Sequence, residues 1–425
     1  MQDRDFVITS DTGRQYRVCE LISTGTGQGD VYRVQEGDTV YALKLFHGED
    51  HRALRRQIEI LLRRGRACPA FVHPLDIVCH EGRVGYVMEF VPDRFLSGNT
   101  LYNGVEQEGC FCELPFNVRL SVLYNIAEAL AVSYEANLAM MDLKFDNLKF
   151  DPDTCEVRII DTDTIVCSEN GKGLIEGTVG FMPPLTMQRL ERPDKHNDAF
   201  ALGVMIFMSL IGAHPLMGSA ENNARDCDIE TYLLAEHPVY IWHPFDKSNR
   251  PTPEQARAAC KLGRYPGYFL QAMERTFVEG LYDGEKRTSP TDWCEILQRL
   301  YRDSFCCCEC GEEQFLSSSQ SCCDNCGSPL IRPLLLQADH TVPLFFGATV
   351  TRADLWQGGD HKRALLRVAA TPYRGKCGLL VEGDGCLLHL VSGKTVRFER
   401  GQVMPLFLNA TYETENKRFI IKEGL

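Results

Sequence analysis

The chain has 425 residues, of which 44% are hydrophobic and 24% charged, and it carries a net charge of -13. That length exceeds one ordinary core and predicts two or three domains, the composition excludes a disordered chain, and the acidity argues against a broadly basic nucleic-acid surface. No run of eighteen apolar residues occurs, and Met1-Gln2-Asp3-Arg4-Asp5 lacks the basic-then-apolar profile of a signal peptide, so a cytoplasmic protein without membrane contact is expected.

From the N-terminus, residues 6 to 47 read as strands and turns. Tyr16-Arg17-Val18 is followed by the glycine-rich turn Thr24-Gly25-Thr26-Gly27-Gln28-Gly29, then by Asp30 to Val34 and Val40 to Leu45. Glycines let a backbone approach phosphates and present its N–H groups, although such a turn alone is more often only a hairpin. Lys44, thirteen residues after Val31, strengthens the reading. A lysine on the next strand can reach the phosphates of a nucleotide beneath the turn. Leu54, Ile58, Leu61 and Leu62 recur at helical spacing and predict a helix over 50–65, with Arg52, Arg55, Arg56, Arg63, Arg64 and Arg66 as a solvated face. Glu59 beside that stripe can pair with Lys44, or be simple surface. Asp76 to Cys79 and Gly85 to Val91 read as two strands around a Glu81-Gly82 turn.

Farther on, Asp142-Leu143-Lys144-Phe145-Asp146-Asn147 is followed, fourteen residues after Asn147, by Asp161-Thr162-Asp163. This order supplies a base, a counter-cation and metal ligands, the groups that phosphoryl transfer needs to orient a hydroxyl and neutralise a loose transition state. Asp163 reads either as a second metal-facing carboxylate or as a turn residue.

Over residues 15 to 302 these motifs together resemble the protein-kinase fold, specifically the bacterial eukaryotic-like Ser/Thr kinases. The resemblance implies a bilobal α+β kinase domain, with an N-lobe over 1–91 and a C-lobe over 92–302, and an enzyme that transfers the ATP γ-phosphoryl group to a protein hydroxyl. Thr26, Gly27, Gly29 and Val31 would lie over the nucleotide, although Thr24 and Thr26 stand at two positions where the family has glycine. Tyr41-Ala42-Leu43-Lys44 matches V-A-I-K, which implies Ala42 beside the nucleotide, Lys44 on the phosphates and Glu59 as its helical partner. Met88 would be the gatekeeper, and the backbones of Glu89 and Val91 would bind adenine.

Met140-Met141-Asp142-Leu143-Lys144-Phe145-Asp146-Asn147 stands for H-R-D-L-x-x-x-N, which implies Asp142 and Lys144 as catalytic residues and Asn147 as a Mg²⁺ ligand. The arginine before the catalytic Asp is missing, which puts control by activation-loop phosphate in doubt. Asp161-Thr162-Asp163 stands for D-F-G, with Asp161, and Asp163 if metal-facing, on Mg²⁺ or Mn²⁺. Thr162 replaces the packing Phe, so no conventional in/out switch of the segment is expected. Leu185 occupies the place of the glutamate that pairs with Arg287, and Asp198 is an anchor under the catalytic loop. These departures keep open a second reading, a nucleotide-binding pseudokinase scaffold. The segment from Glu236 to Pro244 and on to Pro251 resembles an insert of kinases encoded beside a metal-dependent protein phosphatase and a von Willebrand A-type protein in tellurium-resistance-like clusters, which implies those partners besides a protein substrate. Without that likeness it is an aromatic loop packing on the C-lobe or a docking surface.

Cys307-x-x-Cys310-Gly311 and Cys323-x-x-Cys326-Gly327, separated by twelve residues, form two knuckles that can close a tetrahedral thiolate site. They predict a structural Zn²⁺ ribbon over 303–330, with Cys306, Cys308 and Cys322 as spare thiols. Over 331–425 seven short strands separated by Gly, Asn and Asp turns predict a small β-sandwich. It is similar to forkhead-associated domains in outline, but their recognition residues are not found, and a docking or autoregulatory role is preferred.

Overall fold

Alternation along one strand explains the first layer. In Thr39–Phe46, residues Ala42, Lys44 and Phe46 point to one face and Leu43 and Leu45 to the other. Each face has its own core, so the sheet is buried on both sides. In the computed structural model, which describes residues 6–24, 29–47, 51–102, 114–167, 177–223, 228–318, 320–345, 347–356, 364–370, 377–390 and 392–423, this strand is β4 of a six-stranded antiparallel sheet. The others are β1 (Val7–Thr9), β2 (Gln15–Thr24), β3 (Gly29–Glu36), β5 (Pro74–His80) and β6 (Arg83–Glu89), in the spatial order β1-β2-β3-β4-β6-β5.

Helix α1 (His51–Arg64) covers the face that carries Lys44. Ile58 is fully buried there with Leu54 and Leu62 packed beside it, and Leu61 is also buried, as the spacing predicts. Arg63 and Arg64 in the last turn complement the helix dipole, and Gly65, at φ 77°, ends the helix with its N–H on the Leu61 carbonyl. Thr26 and Gly27 lie outside the described residues.

The second layer is helical. Its long elements are α2 (Phe116–Glu135) and the helix Lys195–Ile211, almost entirely buried, whose start is fixed by a capping box between Asp194 and Asn197. The insert packs as a loop: Tyr240 is buried against Phe207 and Phe277, and Asn249 donates to the Leu216 and Val239 carbonyls, while Phe245 is 88% exposed.

Contacts divide the chain into two compact units. One contains residues 1–114, 121–259 and 271–294; the other contains 115–120, 260–270 and 295–425. In the second unit Ser304–Cys306 pairs with Glu313–Phe315, and Phe315 packs on Phe116 and Tyr265. Lys261 reaches Glu313 at 2.6 Å, Arg264 reaches Glu312 at 2.9 Å, and Arg119 lies 3.9 Å from Glu313, all with buried side chains.

Beyond these, ten strands form two antiparallel sheets. One has the order Thr341–Leu344, Leu334–Gln337, Lys417–Lys422, Thr411–Thr414, Cys386–His389, Thr395–Phe398; the other has Thr349–Thr351, Ala364–Ala370, Cys377–Val381, Val403–Pro405. Both sheets contribute to one core, with Leu336, Tyr412 and Ile421 from the first and Val350, Leu366 and Met404 from the second. Three of the ten were not expected from alternation. Leu334–Gln337 is a continuous apolar run, Thr349–Thr351 is too short to show a period, and Thr411–Thr414 buries Tyr412 and Thr414.

Candidate active site

Backbone pairing assembles the site before any side chain does. The hairpin of Leu148–Phe150 with Val157–Ile159 pairs Leu148 with Ile159, so Asn147 and Asp161 flank the same end of it. The Ile160 N–H donates to the Asn147 carbonyl at 2.9 Å and fixes that relation. Asp161 adopts the left-handed conformation, φ 56°, as an aspartate tolerates better than most residues. The preceding turn is held from below: fully buried Asp198 accepts the N–H groups of Met140 at 2.6 Å and Met141 at 3.3 Å. Burial pushes the Asp198 carboxyl up to about 7, although those two N–H groups oppose the rise.

Three polar groups close on one another in this turn. Lys144 Nζ lies 2.9 Å from Asp142 Oδ2 and donates to Thr178 Oγ1 at 2.8 Å, and the Thr178 hydroxyl donates to Asp142 Oδ1 at 2.6 Å. The Asn147 amide nitrogen donates to the Asp142 carbonyl at 2.8 Å, which leaves its side-chain oxygen for a cation. The ring joins a hydroxyl acceptor and a cation of this turn to an orienting hydroxyl that lies 34 residues beyond Lys144. Thr178 was missed in the sequence, where its only signal is a hydroxyl two residues before Gly180.

Across from this turn, Lys44 is 4% exposed and lies 3.0 Å from Asp161 Oδ1 and 3.1 Å from Asp163 Oδ1. Burial lowers the affinity of Lys44 for its proton, but Asp163 and then Asp161 outweigh it, and the ammonium is held above its ordinary pKa. The expected partner differs. Glu59 is bonded to Arg55 at 3.2 Å, four residues earlier on α1, because the helix turns Ile58 and Leu61 inward and leaves Glu59 on its flank. Nor does Asp163 stand as a metal ligand: it is 4% exposed, with its oxygens engaged by Lys44 and by the Tyr86 hydroxyl at 2.9 Å.

Thr162, in the place of an aromatic, is fully buried and donates to the Val72 carbonyl at 2.6 Å. Ala42 and Met88 are buried in the core under α1, and Phe90 and Val91 pack against it, while the Glu89 carboxylate meets Arg66 at 3.1 Å. Val31 pairs with Lys44 across β3 and β4. At Gly29 a side chain has no room, since a Cβ would stand 2.5 Å from the Leu45 carbonyl oxygen. That glycine is therefore required by strand packing whatever lies above it. Arg287, whose expected glutamate is replaced by Leu185, donates instead to the carbonyls of Gly280 at 2.7 Å and His196 at 2.9 Å. Burial lowers its guanidinium to about 10.

In the second unit Cys307, Cys310, Cys323 and Cys326 hold their sulfurs within 4.8 Å of one another, with Cys307 to Cys326 at 3.8 Å and Cys310 to Cys323 at 3.6 Å. Gly311 and Gly327, at φ 74° and 73°, close the two turns, and Gln314 donates to the Cys323 sulfur at 3.6 Å. This cluster can hold a metal ion.

The protein kinase domain family matches residues 16–294, and the chain belongs to that family. By that membership it is a protein kinase, related to Ser/Thr kinases. A probable cAMP-dependent protein kinase catalytic subunit of Encephalitozoon cuniculi is 26% identical over 69% of this chain and 85% of the relative. Protein kinase C-like 2 of Schizosaccharomyces pombe is 28% identical over 40% of this chain and 16% of its own length, and an Aurora kinase of Yarrowia lipolytica is 30% identical over 49% and 57%. Among solved structures, the autoinhibited serine kinase domain of the giant muscle protein titin aligns at a TM-score of 0.47 and 15% identity, covering 67% of this chain and 81% of that one. No described helix is long and apolar enough to cross a membrane.

Proposed function

We propose that the chain transfers the γ-phosphoryl group of Mg-ATP to a serine or threonine hydroxyl of a protein. The observation that carries this reading is the ring of Asp142, Lys144 and Thr178 beside Asn147, with Asp161 and Lys44 in the same unit. Mg-ATP supplies the phosphoryl group and, with Mn²⁺ as an alternative, the divalent charge. Lys44 binds phosphate oxygens. The Asn147 carbonyl oxygen and the Asp161 carboxylate hold the cation, Asp142 orients the acceptor hydroxyl and takes its proton, and Lys144 neutralises charge at the transferring group. Incubation of the full chain with labelled ATP and Mg²⁺ tests this, with Asp142→Ala as the control. Transfer that D142A abolishes is expected; nucleotide binding with no turnover in either protein leaves only a pseudokinase scaffold.

The domains proposed are the N-lobe over 1–91, the C-lobe over 92–302, a Zn²⁺ ribbon over 303–330 and a β-sandwich over 331–425 that serves docking or regulation. Zinc suits the four thiolates: a tetrahedron with Zn–S near 2.3 Å has sulfur edges of about 3.8 Å, and two of the separations are 3.8 and 3.6 Å, with all four sulfurs within 4.8 Å. Bound zinc would tie the two knuckles together, and a purified chain yielding no zinc by elemental analysis counts against it. A cytoplasmic location keeps such thiolates reduced. The insert supports the bacterial phosphatase-linked subgroup, and its exposed Phe245 suits contact with the phosphatase or the von Willebrand A-type partner.

A further inference from the structure

Lys44 and Tyr86 are direct cross-strand partners on β4 and β6 and lie on the same face of the sheet, beneath α1. Both aim at Asp163. Lys44 Nζ stands 3.1 Å and 3.3 Å from its two oxygens, and the Tyr86 hydroxyl donates to Oδ1 at 2.9 Å. The side chains of Lys44 and Asp163 are 5% and 3% exposed, and a buried carboxylate requires a cation and hydrogen bonds to remain charged. Asp161 differs: its side chain is 38% exposed, so it can exchange Lys44 for a divalent cation without losing solvation on all sides.

The segment that carries Asp163 is tied at every step. Thr162 Oγ1 donates to the Val72 carbonyl, Thr164 Oγ1 to the Met140 carbonyl at 2.5 Å, and Gln57 on α1 donates to the Ile165 carbonyl at 2.6 Å. Glu59 cannot take over without cost. Successive helical residues are rotated by about 100°, so turning Glu59 inward rolls Ile58, now fully buried, towards solvent.

We propose that Asp163, and not a carboxylate of α1, is the positioning residue for Lys44, so that the phosphate-facing lysine and the metal-facing Asp161 are set by one short segment and do not depend on a swing of α1. The proposal rests on the kinase reading of the same site. It makes Asp163 a group that acts through Lys44 and touches neither nucleotide nor metal.

Two readouts on the full chain test it. The first is Mg-ATP affinity by calorimetry together with the split between KM for ATP and kcat. The second is the rate at which an amine-reactive reagent labels Lys44 across the alkaline range, followed by peptide mass spectrometry. Asp163→Asn is expected to weaken Mg-ATP binding by about ten-fold and to speed Lys44 labelling, because the ammonium loses its buried partner. Glu59→Gln is expected to change either by less than about two-fold. In a Lys44→Met background D163N adds nothing further to the affinity loss, which a merely structural role would not predict. If D163N melts below the assay temperature, Tyr86→Phe replaces it: removing the hydroxyl that shares Oδ1 with Lys44 loosens the hold on that carboxylate and moves both readouts in the same direction by about three-fold. Equal responses from E59Q and D163N, or unchanged labelling in D163N or Y86F, overturn the proposal. Labelling needs no turnover, so a wild-type chain that transfers no phosphoryl group removes the kinase reading and leaves this test standing.

Discussion

Two buried ionic clusters, one in each unit, use the same side chains to different ends. Around Lys44 a single cation faces two carboxylates, one of them still partly open to solvent. In the other unit Lys261, Arg264 and Arg119 face Glu312 and Glu313, and all five side chains are between 2% and 10% exposed. The first cluster has surplus negative charge and an accessible oxygen, which is a demand for a further cation. The second also has a carboxylate open to solvent, Asp324, 37% exposed and 3.7 Å from Arg264, but its three cations face three carboxylates and it has no such surplus. Burial of charge therefore does not mark function by itself; unbalanced charge with one accessible oxygen does.

Removing the open oxygen gives the largest expected effect. Asp161→Asn should lower phosphoryl transfer on the order of a thousand-fold while unfolding stability moves by less than about 1 kcal/mol; urea titration beside a transfer assay separates the two, and a parallel collapse of both would erase the contrast. In the balanced cluster the pattern reverses. Glu313→Gln leaves buried cations short of a partner and should cost about 3 to 5 kcal/mol, read from hydrogen exchange at Phe315 in the second unit across a urea titration. A loss under about 1 kcal/mol would mean that the cluster is solvated in solution.

A third test uses a buried titratable group with no ionic partner. His214 donates from Nε2 to the Gly180 carbonyl at 2.9 Å and accepts the Leu216 N–H on Nδ1, so it folds as the neutral ring. Burial lowers it from 6.5 to about 4. The unfolded chain therefore binds a proton in that window when the folded chain does not. Its contribution is complete above pH 6.5 and is lost as pH falls towards 4, to a total on the order of 3 kcal/mol. Denaturant midpoints measured across this range should fall with acidity, and His214→Gln should flatten that slope. The smallest effect belongs to Thr178→Val, which removes one orienting hydroxyl from Asp142 and should reduce transfer about ten-fold without altering ATP affinity; an unchanged rate would free Thr178 from the ring.

The order Lys44, Asp142, Lys144, Asn147, Asp161 was legible because each residue sits at a fixed distance from a strand or turn, and the spacing survives in one dimension. The partner of Lys44 was not. Glu59 has the right chemistry on the right helix, but its direction depends on helix phase, and the phase is set by Ile58, with Leu54 and Leu62 beside it, meeting the sheet. Asp163 reads as a turn residue or a metal ligand until Tyr86, distant in sequence, is seen beside Lys44. Likewise Glu312 and Glu313 are an unremarked acidic pair after a knuckle, and only the fold brings Lys261 and Arg264 to them. Cysteine spacing, by contrast, carried the four-sulfur cluster intact, since each pair lies on one tight turn.

Thr162 leaves a mark on what kinds of small molecule can grip this chain. Its side chain is fully enclosed and its hydroxyl is spent on the Val72 carbonyl. A compound that gains selectivity by ejecting an aromatic ring and occupying the vacated berth has no ring to eject, and moving the threonine would open only a small gap while stranding a carbonyl. Discriminating chemotypes would have to seek polar contacts instead, with the 38% exposed Asp161 carboxylate as the accessible one.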